Sequence, residues 1–197
     1  MQRARKKHRA VAWLEGCLWA AGLLAIGYCA FLWGRAQYDQ AQGNWALEHV
    51  LPGDGGSEPA AVRRDSAEGS LVGRIEIPRL DLSAVVFEGT SADTLARGVG
   101  HLTGSAGPGE RGNLVLAGHR DTFFRELRDI RRGDEITVKA PDGEFEYRVE
   151  STAIVHPEQT EVLKPGDGST LTLITCYPFR YIGNAPERFI VRGTRID

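Results

Sequence analysis

The chain has 197 residues, with 24 Lys and Arg against 26 Asp and Glu, a net charge of −2 at pH 7. So even a balance supplies no basic surface for nucleic acid, and nucleic acid is excluded as a partner. The length that remains after the N-terminal segments described next is enough for one folded core and too short for two.

Residues 1–10 form a basic tail, with Arg3, Arg5, Lys6, Lys7 and Arg9 unopposed by any acid. Residues 16–33 then run without a single charge. As a helix this stretch would span about 27 Å, close to the roughly 30 Å hydrocarbon core of a bilayer. Val11 to Leu14 extend it, and Trp13, Trp19 and Trp33 suit interfacial positions. The reading is a transmembrane anchor over 11–33. It exceeds the usual apolar region of a cleaved signal peptide, and no clean cleavage site follows. The basic flank places the N-terminus in the cytoplasm and the remaining chain outside it. Residues 34–70 read as stalk and linker, with a helix-compatible stretch over 35–50 and a run of breakers over 52–59.

The folded body occupies 71–197. Alternating apolar and β-branched residues predict strands over 71–77, 82–88, 113–118, 135–139, 145–155, 171–176 and 188–194. Breakers separate them: Pro78, Gly89, Gly107-Pro108-Gly109, Gly133-Asp134, Pro141-Asp142-Gly143 and Pro165-Gly166-Asp167-Gly168. Pro141-Asp142-Gly143 between two alternating runs predicts a hairpin. Short helices are expected over 91–97, capped by Ser91 or Thr90, and over 122–130, with Phe123, Leu127 and Ile130 on one face. Many short strands at this spacing make the body mostly β, a barrel or a sandwich.

The chemistry-bearing residues fall at strand ends. Cys176 ends one apolar run, and Arg188 opens the next. If the two strands are antiparallel neighbours, thiol and guanidinium lie close together. Cys17 and Cys29 lie within the membrane segment, so Cys176 is the one cysteine of the exported body. An unpaired thiol in an oxidising compartment is intermolecular or kept for its reactivity. Leu114 to Gly118 form another short strand, and His119 follows it at a strand-to-helix turn. A thiolate attacks carbonyls, an imidazole makes the thiolate or protonates a leaving amine, and a fixed cation steadies the developing oxyanion. His101, in a glycine-rich stretch, competes with His119 for the base role. His156 opens a polar loop and reads as surface. A structural His119 and an inert, buried Cys176 are the alternatives.

Thr172-Leu173-Ile174-Thr175-Cys176 resembles the cysteine signature of sortases, and Leu116-Ala117-Gly118-His119-Arg120 resembles their histidine strand. Arg188, on the following strand, matches the family arginine. Gly100-His101, Pro108-Gly109, Gly112-Asn113 and Thr175 to Phe179 look most like the class D branch. The resemblance runs from Gly69 to the C-terminus. It implies a closed sortase-type β-barrel of about eight strands with short helices, carried on the N-terminal anchor. It also implies a cysteine transpeptidase acting on proteins with LPxTG-like sorting signals, with a cell-wall peptide or pilin lysine as amine acceptor. By the same resemblance Cys176 is the nucleophile, His119 the general acid/base and Arg188 the group holding substrate backbone and oxyanion. Thr175 and His101 are substrate-side residues. No metal or other cofactor is implied. The Asp-Pro-aromatic lid of class C enzymes has no counterpart in residues 54–60, so an open cleft is expected. Two other readings remain: an L,D-transpeptidase, whose Ser-x-Gly-Cys run is absent here, and a non-catalytic membrane-tethered barrel that displays a binding cleft.

Overall fold

The computed structural model describes Trp13, residues 15–31, 67–164 and 168–197. The basic tail, Trp33, the stalk and linker up to residue 66 and the breaker Pro165-Gly166-Asp167 lie outside the described residues. The chain divides into two compact units, Met1–Tyr38 and Asp39–Asp197. In the first, α1 (residues 15–31) is a continuous helix whose residues are all exposed, Leu18, Trp19, Leu24 and Phe31 among them. Among the described residues no helix is long and apolar enough to cross a membrane. The expected span over 11–33 extends beyond α1 at both ends.

The second unit is a closed barrel of eight strands. They are β1 (Leu71–Ile77), β2 (Leu82–Glu88), β3 (Val99–His101), β4 (Gly112–Ala117), β5 (Glu135–Ala140), β6 (Gly143–Val155), β7 (Ser169–Tyr177) and β8 (Glu187–Arg195). Around the barrel the order is β1-β2-β3-β4-β7-β8-β6-β5, closed by β5 against β1. Seven strands lie where the alternation predicts them. β3 is the addition: three residues with a central glycine carry no period-two signal. β3 forms because it fills the gap between β2, to which it is parallel, and β4, to which it is antiparallel.

Period-two burial explains the core. Leu114 and Leu116 of β4, Leu171 and Leu173 of β7 and Val191 of β8 join Ile75, Ile77, Val86, Ile136, Val138 and Tyr147 in one cluster. Each such aliphatic side chain contributes about 1.5–3 kcal/mol when fully buried. Pro141 and Asp142 form a two-residue hairpin loop, with Ala140 facing Gly143 across it. The helix α2 (Ala92–Arg97) starts on Ser91, whose hydroxyl accepts from the Thr94 amide at 3.3 Å. The helix expected over 122–130 is corrected to turns and a 3-10 helix, Arg125–Asp129. Its buried side is Phe124, Leu127 and Ile130, with Phe123 only partly buried. The tighter 3-10 winding and the preceding turn change which aromatic faces the core.

Candidate active site

Register brings two of the candidate residues face to face, with a third in the turn beside them. In the antiparallel β7–β8 pair, Cys176 stands directly opposite Arg188. On its other side β7 runs parallel to β4, with Ala117 beside Ile174. The pairing continues past the strand end, where the Gly118 amide donates to the Ile174 carbonyl at 3.1 Å. His119 follows Gly118 in the turn after β4, toward the end of β7 that carries Cys176. Neighbouring strands lie about 4.8 Å apart. Cys176 and Arg188 therefore lie on adjacent strands, His119 follows the strand on the other side of β7, and Val155 of β6 pairs with Arg188.

The faces follow from the pleat. Leu171, Leu173 and Thr175 point inward and are buried. Thr172, Ile174 and Cys176 point outward, and Ile190 and Arg188 share that face through their pairing. Cys176 is partly buried, Arg188 is partly buried and His119 is exposed. A thiol that is neither sealed nor fully in solvent can meet a peptide carbonyl. Beside it, Ala117 and Ile174 form a partly exposed apolar strip on the same face.

Loops bound this strip. The Asn113 side-chain amide donates to the carbonyls of Val162 and Leu163, each at 3.3 Å, while its Oδ1 accepts from the hydroxyls of Thr170 and Thr172. Arg192 Nη2 also donates to the Val162 carbonyl, at 3.2 Å. These bonds fix the 3-10 turn Thr160–Leu163 beside the outer face of β7. At the Cys176 end of β7, Arg120 Nη2 donates to the carbonyls of Tyr181 at 2.8 Å and Gly183 at 3.2 Å. Arg188 Nη1 donates to the carbonyls of Ala185 and Glu187. Tyr177, Phe179 and Phe189 pack ring on ring at the base of that loop.

Thr175 lies next to Cys176 but faces inward, 2% exposed, and its hydroxyl donates to the Gly118 carbonyl at 2.7 Å. That bond ties the Cys176 strand to the residue before His119. Gly118 has no room for a side chain, since a Cβ would meet the Phe124 ring at 2.7 Å. The Phe124 amide in turn donates to the His119 carbonyl.

The structure sets His101 apart from this group. It pairs with Leu116, three residues before His119 on the neighbouring strand, or about 10 Å along the sheet. Its ring is buried and bonded on both sides. Nδ1 meets Glu88 Oε2 at 2.6 Å, and Nε2 meets the Ser105 hydroxyl at 2.9 Å and the Ala106 carbonyl at 3.1 Å. Thr103 donates to the other Glu88 oxygen at 2.7 Å. His156 is exposed at the end of β6.

Three residues that the strand-end reasoning did not single out as site residues, Glu88, Asn113 and Arg120, hold the surroundings together. Each sits at a strand end or directly after His119, and their partners are 13 to 63 positions away in the chain.

The sortase-domain family pattern matches residues 75–196, the barrel almost from end to end. This chain belongs to the sortase family. A Bacillus subtilis protein described as Sortase D is 42% identical over 129 residues, covering 65% of each chain. A Bacillus anthracis Sortase A is 28% identical over 127 residues, covering 62% of this chain and 59% of its own. The sortase chain thus spans just under two thirds of the length of these relatives. Among solved structures, Clostridium perfringens sortase C with the C-terminal cell wall sorting motif is 30% identical, with a TM-score of 0.62, covering 83% of this chain and 89% of that one. A Clostridium perfringens Sortase D5 transpeptidase shares the fold at a TM-score of 0.68 and 24% identity, covering 83% and 99%. The similar sortases fall in classes A, C and D.

Proposed function

We propose that this sortase is a cysteine transpeptidase of the class D type, anchored by its N-terminal helix with the barrel outside the cytoplasm. It would act on proteins bearing an LPxTG-like sorting signal. The observation that supports the reading is the row of Cys176 and Arg188, directly opposed on β7 and β8, with His119 in the turn that follows the neighbouring β4. Class D is favoured by the 42% identity to a Sortase D, the highest among the relatives named above.

The chemistry runs along that row. The Cys176 thiolate adds to the carbonyl carbon of the Thr-Gly or Thr-Ala bond in the signal. Arg188, directly opposite, stabilises the oxyanion and holds the substrate backbone. His119 gives its proton to the departing amine, the C–N bond breaks, and a Cys176 thioester remains. An amine on a cell-wall peptide or a pilin lysine then attacks the thioester. His119 takes a proton from that amine, and Cys176 leaves as thiolate while a new peptide bond forms. Thr175 contributes by joining the two strands through Gly118. His101 serves the cleft at one remove, by bracing the loop after β3. The partly exposed strip of Ala117 and Ile174 suits the apolar residues of a sorting signal.

The test is incubation of the full-length protein and its Cys176→Ala variant with a peptide library built around LPxTG, with mass spectrometry of both peptide and protein. The native protein should cleave after Thr and carry the acyl group on Cys176, while the variant keeps its fold and does neither. An adduct on any other residue would overturn the assignment.

A further inference from the structure

Arg120 follows His119 directly, and its side chain crosses to the loop between β7 and β8. One nitrogen, Nη2, donates to two carbonyls of that loop, Tyr181 and Gly183. The guanidinium carbon also stands 5.8 Å from the Tyr181 ring centre, within cation–π range. The other terminal nitrogen, Nη1, is buried and has no hydrogen-bond partner. Burying a guanidinium with one N–H group unsatisfied is unfavourable. The loop bonds made through Nη2 offset that cost.

The loop itself has little else to fix its far end. Ile182 is fully exposed and Tyr181 about half exposed. At the near end Arg188 Nη1 grips the carbonyls of Ala185 and Glu187. The loop is thus held between two guanidinium groups. One belongs to the turn that carries His119, and the other stands opposite Cys176. Displacement of residues 181–183 would be transmitted through Ala185 to Arg188.

We propose that Arg120 is a positioning residue for the transfer reaction: it fastens the β7–β8 loop to the His119 turn and so holds Arg188 facing Cys176. The inference rests on the cysteine-transpeptidase reading for its kinetic arm only. A lysine at 120 keeps the charge and can reach one carbonyl, but it lacks the planar fork that spans two.

The experiment compares the full-length native protein with Arg120→Ala and Arg120→Lys in detergent micelles. Three quantities are read: the rate of tryptic cleavage after the exposed Arg180, the rate of Cys176 alkylation by iodoacetamide, and kcat and KM on a sorting peptide with an amine acceptor. Arg120→Ala should speed cleavage after Arg180 and lower kcat about tenfold or more with a smaller change in KM, since misplacement of reacting groups costs chemistry more than binding. Arg120→Lys should recover part of both, which also covers the case in which the alanine variant fails to fold. Unchanged cleavage after Arg180 would overturn the clamp. Faster cleavage with unchanged kcat would overturn its positioning role. If the native protein turns over no sorting peptide, the transpeptidase reading fails on its own, and tryptic cleavage together with the alkylation rate still decides the clamp: both shift if it is real, and neither if it is not.

Discussion

In the proposed reaction two histidines compete for the proton-transfer role, and their surroundings differ. His119 is exposed in the turn after β4, so its ring is accessible to a leaving amine. His101 is buried, with both ring nitrogens engaged. His119→Ala should therefore lower kcat/KM by about a thousandfold or more, within the range of general acid–base catalysis. His101→Ala should cost about tenfold or less in kcat/KM. Its larger effect should fall on stability, about 1–3 kcal/mol, because the Glu88 carboxylate would keep only Thr103 as a side-chain partner in a buried site. Steady-state kinetics and urea unfolding of both variants separate the two effects. Equal kinetic losses would mean that the acid role is misassigned or shared.

At the scale of elements, the site depends on which strands are neighbours. β7 and β8 are consecutive in the chain and antiparallel, so one hairpin sets Cys176 against Arg188. β4 lies parallel to β7, a pairing over about 57 positions, and it delivers His119. Elsewhere an ion pair between the exposed Arg79 and the buried Asp134 fastens the 3-10 turn Pro78–Leu80 to the start of β5. Arg79 donates from Nε and Nη2 to the two oxygens of Asp134. The Arg79 hydrogen bonds, helped by the Arg131 amide and opposed by burial, hold the Asp134 carboxyl below its ordinary range. A carboxyl whose pKa is depressed in the folded state stabilises the fold above its unfolded value, near 3.9, and loses that contribution as pH falls through the folded value. Thermal melts from pH 7 to pH 2 should show a falling midpoint on the acid side. Asp134→Asn should melt lower at pH 7 and lose less on acidification, so that the two curves converge in acid. Parallel curves would remove Asp134 from the acid response.

For the whole barrel, closure brings the ends of β4 and β7 and the start of β8 to one rim, where the turn after β4 and the loop between β7 and β8 lie. The proposed function assigns the membrane anchor to the N-terminal unit. Its helix exposes Trp19, Leu23, Leu24, Ile26 and Phe31. The basic residues that precede it orient such a segment with its N-terminus in the cytoplasm. A reporter fused after Asp197 should be active only outside the cytoplasm, and the mature protein should retain residues 1–33. A cytoplasmic reporter signal or removal of that segment would overturn the anchored topology.

The sequence by itself determined the strands that carry the chemistry, because alternation with period two and intervening breakers are local signals. Cys176 at the end of β7 and Arg188 at the start of β8 were legible as neighbours for the same reason: few residues separate them, and a hairpin is the short connection. The Pro141-Asp142 turn and the Ser91 cap were legible through turn and capping chemistry. Tertiary structure decided what depends on distant pairing. β3 has no propensity of its own and exists because the barrel needs a strand between β2 and β4. His119 over His101 was already legible from the sequence; what tertiary structure adds is that His101, paired with Leu116, is buried with both ring nitrogens engaged. Glu88, Asn113 and Arg120 acquire their roles only once their partners, far away in sequence, are folded against them.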